Sequence, residues 1–145
     1  MQRKNIYKVT SKRLNLVPRS AEEINLKNPS HMSYVFGGAY TPISCKLVEQ
    51  IQHGGGISSI EDLARLMGVE VSTMRRPASV RHPSAGSPPK NRPTLVMFMG
   101  GCTYSEITAL RFLGRLKGCS YVIGTTSITT SRRTLTSIIE HATES

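Results

Sequence analysis

Two short apolar runs, TLVMFM at 94–99 and SYVIGTT at 120–126, flank one stretch of helical periodicity, and this arrangement restricts the fold more than any other feature. The first run is continuously apolar and of strand length, as in strands buried on both faces of a parallel sheet. Between the runs, Ile107, Leu110, Leu113 and Leu116 recur at helical spacing and end at Gly118, which suits a left-handed helix cap. Thr103 and Glu106 have the spacing of a capping box. A strand, a helix of about 14 residues and a second strand close into a right-handed crossover with the strands parallel. Ser131 then caps a last helix that carries Leu135, Ile138 and Ile139.

Upstream of this 94–145 unit, residues 32–70 read as a short strand and two helices. MSYVF at 32–36 is the candidate third strand. In AYTPISCKLVEQIQHGGG, Thr41 can cap and Pro42 suits the first helical position, while Ile43, Leu47, Val48 and Ile51 share a face. In SSIEDLARLMG, Ser58 precedes Glu61 at capping-box spacing and Gly68 can end the helix. Residues 71–93 hold five of the eight prolines and read as a disordered Pro/Arg-rich loop, and residues 1–31 as a basic, partly helical or irregular segment. Two or three parallel strands need their faces and edges covered, so the sheet is expected to be incomplete.

The formal charge of +10 raises nucleic acid or an anionic surface as partners, but its placement decides. Arg3, Lys4, Lys8, Lys12, Arg13 and Arg19 fall in the first twenty residues, and Arg75, Arg76, Arg81, Lys90 and Arg92 fall in 71–93, neither segment holding an acid. The rest of the chain is nearly neutral. Only Tyr7 lies within either basic segment to stack on a base, so solvated tail and linker charge is favoured over a nucleic-acid surface. Cys45, Cys102 and Cys119 are odd in number and form no CxxC, and no apolar signal segment follows Met1, which points to a reducing, cytosolic setting.

The pair Gly100–Gly101, between a strand and a helix, is where α/β proteins often hold phosphate. No Lys-Ser/Thr follows as in a P-loop, and the third glycine of a dinucleotide fingerprint is missing. What remains is a generic anion site at a helix N-terminus, formed by Gly100, Gly101 and Thr103 and facing TTSITTSRR, with Arg132 and Arg133 at the start of the next helix. A tight turn that needs small residues is the simpler reading. Cys102 lacks the arginine six positions on that a phosphatase loop needs, since that position is Thr108. His31, His53, His82 and His141 have no partners at metal-ligand spacing, and no nucleophile elbow is present. No catalytic residue, metal or cofactor is therefore expected.

Three tracts carry a resemblance: MSYVFGGAYTPISCKLVEQI (32–51), LVMFMGGCTYSEITALRFLGRLKG (95–118) and YVIGTTSITTSRRTLTSII (121–139). Together they resemble the C-terminal part of the SM proteins, the Sec/Munc-type chaperones of SNARE assembly. Within that family they are most similar to the vacuolar-protein-sorting class C branch, its B-type more than its A-type. The resemblance departs at 71–93, where a basic, proline-rich stretch replaces the usual acidic or mixed linker. It implies the C-terminal part of a three-layer parallel-sheet α/β domain, here as a fragment or short isoform.

It further implies a non-enzymatic factor of vesicle tethering and membrane fusion. The implied partners are SNARE proteins, reached through the full-length parent, and a helical adaptor of the Spe-type in the CHEVI tethering complex. The implied location is cytoplasmic, peripheral on late endosomes, lysosomes or recycling endosomes. In this family the glycine pair is scaffold. The alternatives kept are a basic nucleic-acid-binding domain and a small phosphate-ligand domain built on Gly100–Thr103 with Arg132.

Overall fold

The computed structural model describes residues 5–19, 25, 27–74 and 93–143. The Pro/Arg-rich stretch, apart from residues 71–74 and 93, lies outside the described residues, as do 1–4, 20–24 and 26 of the basic N-terminal segment. The order of elements is helix α1 (Ile6–Leu14), a 3-10 helix (Met32–Phe36), helices α2 (Ile43–His53) and α3 (Ser58–Met67), strand β1 (Thr94–Phe98), helix α4 (Tyr104–Lys117), strand β2 (Tyr121–Thr125) and helix α5 (Ser131–Thr143).

The crossover anticipated around the glycine pair is present: β1 and β2 pair in parallel, from Thr94 opposite Tyr121 to Phe98 opposite Thr125. Strand alternation sends Val96, Phe98, Tyr121 and Ile123 inward against Ala109, Leu110 and Leu113 of α4, where Met32 and Cys45 complete the core. The opposite face differs from the expectation of a strand buried on both sides. Leu95, Met97 and Val122 are 68%, 54% and 52% exposed. Among the described residues α4 and its neighbours back this sheet on one face, and the side chains of the other face are exposed.

A second cluster joins Leu14 and Leu16 to Leu63, with Leu47, Leu66 and Met67 against it. Helix α2 belongs to both clusters, giving Cys45 and Val48 to the sheet side and Leu47 to the helical side. It is the wall between the two halves of the core.

Several local expectations are corrected. Residues 32–36 form a 3-10 helix rather than a strand: His31 caps it, and Gly37 and Gly38, at φ 63° and 80°, turn the chain back at once. Thr41 does not cap α2. Its N–H donates to the Leu16 carbonyl (2.7 Å), which draws it into the interior, and Pro42 takes the N-cap position with no side-chain bond. Ser58 does not cap α3 either, because Ile57 is already helical and places Ser58 in the first turn. There Ser59 Oγ donates to the Gly56 carbonyl at 2.6 Å. Ser131 is likewise inside α5, and Thr130 Oγ1 accepts from the Arg133 N–H at 3.3 Å.

Helix α1, visible in sequence only as weak periodicity, is bounded by two asparagines. The Asn5 side chain accepts from the Lys8 N–H, and Asn15 ends the helix at φ 51°, in the left-handed region that asparagine tolerates better than most residues. Gly68 and Gly118 end α3 and α4 at φ 70° and 63°.

Candidate functional site

The parallel pairing brings the turn after β1 and the turn after β2 to one edge, so the sequence-selected residues can be followed atom by atom. Gly100 and Gly101 have φ of 99° and 127°, conformations that side-chain-bearing residues rarely adopt. The hydroxyl-rich turn packs directly on them. Gly100 N–H donates to Thr126 Oγ1 (2.9 Å), Cys102 N–H to the Ser127 carbonyl (3.1 Å), and Thr129 N–H to the Cys102 carbonyl (2.9 Å). A bridge between Cys102 and Ile128 prolongs the parallel pairing beyond the strands.

At the start of α4 the charge expected of a bound anion is supplied by the chain. Thr103 Oγ1 accepts from the Glu106 N–H (3.2 Å), and the Glu106 carboxylate accepts from the Thr103 N–H (2.9 Å), the two halves of a capping box. The same carboxylate also accepts from the Thr103 hydroxyl and from Ser44 Oγ on α2. A negative charge at a helix N-terminus is favourable, and here it is held by three donor groups on two residues, the N–H and hydroxyl of Thr103 and the hydroxyl of Ser44. The amides of Gly100, Cys102, Thr103 and Glu106 thus all donate to oxygens of this chain.

Ile128, which pairs with Cys102 beside the glycine turn, is the contact point of one of the two arginines singled out in the sequence. Arg133 Nη1 donates to the Ile128 carbonyl (3.3 Å), holding the loop that precedes its own helix, and Arg132 is exposed on α5. Ser44 and Cys45 are the node residues that sequence reasoning missed. Cys45, fully buried, donates its thiol proton to the Glu106 carbonyl at 3.7 Å. Their only signal was position on the apolar side of a helix, which says nothing about a partner some sixty residues away. Burial, followed by the nearby Glu106 charge, pushes the Cys45 thiol up to about 12.

Among the described residues two exposed apolar surfaces flank the turn region. One is the outer face of the sheet, Leu95, Met97 and Val122, with Met99 beyond the end of β1. The other is the α5 stripe of Leu135, Ile138 and Ile139, each 60–62% exposed. Among the described residues no group of three or more His, Cys, Asp or Glu side chains could hold a metal ion, and no helix is long and apolar enough to cross a membrane.

Comparison with known proteins places this geometry. The model of the Sec1 family matches residues 1–137. The chain is 43% identical over 143 residues to vacuolar protein sorting-associated protein 33B of Danio rerio and 38% identical over 140 residues to that of Homo sapiens, in each case over 97% of this chain and 22% of the relative. Vacuolar protein sorting-associated protein 33A of Rattus norvegicus is 36% identical over 82% of this chain. The chain therefore spans about a fifth of the length of the curated relatives it matches.

Proposed function

The chain belongs to the Sec1 family, and on that premise we propose that it is a non-enzymatic factor of vesicle tethering and membrane fusion in endosomal and lysosomal protein transport. The observation that carries this reading is the match over 97% of the chain to proteins named for vacuolar protein sorting. The 33B relatives of Danio rerio and Homo sapiens match more strongly than the 33A relative of Rattus norvegicus, and the tract GGCTYSEITALRFLGR supports the same B-type reading.

In this reading Gly100, Gly101, Thr103 and Glu106 are scaffold: they turn β1 into α4 and satisfy the helix end without a ligand. The working surface is helical and apolar, and its partners are a helical adaptor of the Spe-type in the CHEVI tethering complex and, through the longer protein, SNARE proteins. Apolar and Arg anchors set in a polar rim are the usual source of such binding energy. Membrane association is peripheral and made through partners, on late endosomes, lysosomes or recycling endosomes.

The test is affinity purification of the tagged chain, and of a longer protein carrying it, from cells that express the tethering adaptor. Recovery of the adaptor, with SNAREs enriched only by the longer protein, is the expected result. Recovery of neither by either protein overturns the reading.

A further inference from the structure

Where α2 ends, a thiol, an imidazole and a phenol meet outside the glycine node. His53, the last residue of α2, places Nε2 3.8 Å from the sulfur of Cys119 and 3.2 Å from the hydroxyl of Tyr121. The three come from distant parts of the sequence and are brought together by the packing of α2 beside the α4–β2 turn. We propose that Cys119 is a thiol-modification site, with His53 as its proton acceptor, that takes a small-molecule disulfide into mixed-disulfide linkage.

The site is held in place by backbone. Gly118 turns the chain at φ 63°, and Cys119 N–H donates to the Gly114 carbonyl at 2.9 Å. A Cβ on Gly114 would lie 2.8 Å from the Cys119 carbonyl and 3.3 Å from the Tyr121 ring, so the absence of a side chain lets the segment pack against α4. Cys119 is half-buried and His53 exposed, which leaves room for a reagent. The other two thiols lack that access: Cys45 and Cys102 are 0% and 1% exposed.

Thiolate, not thiol, is the nucleophile, and an adjacent base is the usual means of generating it. The Cys119 proton passes to His53 Nε2, the sulfur attacks one sulfur of the disulfide, the old S–S bond breaks, and the departing thiolate takes the proton from the imidazolium. One disulfide is exchanged for another and one thiol is released, so atoms and electrons balance. Tyr121 competes for the same nitrogen; burial, and then its contact with Cys119, raise its hydroxyl above the ordinary range, so it stays protonated. On α2, Glu49 adds negative charge toward Tyr121 but is paired with Lys46 at 2.6 Å. At the α4 end the nearest charged residue in sequence is Lys117, which is exposed.

The test treats the full chain, natively folded, with glutathione disulfide and maps adducts by peptide mass spectrometry. One adduct, on Cys119, is expected before any on Cys45 or Cys102. His53→Gln, which keeps a polar group beside Tyr121, is expected to slow the reaction by about tenfold near neutral pH and to lose the imidazole limb of the pH–rate profile. Circular dichroism melts of the variant establish that its fold is intact. Equal reaction of all three cysteines, or a Cys119 rate and pH profile unchanged by His53→Gln, overturns the proposal.

Discussion

The two adjacent glycines differ in what a side chain would cost. A Cβ on Gly100 meets nothing within 4 Å, so Gly100→Ala adds only the strain of a positive φ, about 1–3 kcal/mol. On Gly101 a Cβ would lie 2.7 Å from Ser127 Oγ, 2.8 Å from Thr129 Cγ2 and 3.1 Å from the Ser127 carbonyl. A hydroxyl can rotate away; the carbonyl accepts the Cys102 N–H and is tied to the loop pairing. Gly101→Ala is therefore expected to lower Tm more than Gly100→Ala, and adding Ser127→Ala should restore only part of the loss. Thermal unfolding of the three variants checks this, and equal losses for Gly100 and Gly101 would show that the loop yields freely.

The junction of α2 with α4 rests on one turn of each helix, Ser44 and Cys45 against Glu106, and the buried thiol gives it a pH signature. In the unfolded chain Cys45 ionises near the ordinary thiol value of 9.0, whereas the folded chain keeps its proton to about 12. Between those values the unfolded state has lost a proton that the native state holds. Stability therefore falls as pH rises through that window and is fully present below it. Tyr121, also raised, acts in the same direction. Cys45→Ala is expected to flatten the alkaline decline in urea midpoint while leaving the Tyr121 share, and an unchanged slope would refute the assignment.

This junction also shows what the sequence could and could not reveal. The crossover was legible because strand length, helical period, the Thr103–Glu106 box and Gly118 all agree locally. Thr41 was misread because a tertiary hydrogen bond to Leu16 outbid its capping propensity, and Ser58 and the 32–36 segment because local geometry took another course: a helix start one residue early, and two positive-φ glycines that turn the chain. The Ser44–Glu106 and His53–Cys119 contacts join residues more than sixty positions apart, and no local signal encodes them.

At the scale of the whole molecule, burial of the sheet by the described residues is one-sided. The inner face of the β1–β2 pair sits on α4, while Leu95, Met97 and Val122 face outward at half exposure or more, and Met97 folds its sulfur over Gly124. Parallel sheets are ordinarily covered on both faces, and the relatives that share this chain's sequence are about five times its length. An uncovered apolar face beside open strand edges favours association of like copies over solution as a monomer, even at a formal charge of +10. The chain alone is expected to show concentration-dependent association in sedimentation velocity, strengthened by salt as the charge repulsion is screened. Leu95→Lys with Val122→Thr, which changes that face and leaves the α4 side untouched, should return it toward monomer with little loss of Tm. Association that persists in the double variant would move the sticky surface elsewhere, with the α5 stripe of Leu135, Ile138 and Ile139 next to be substituted.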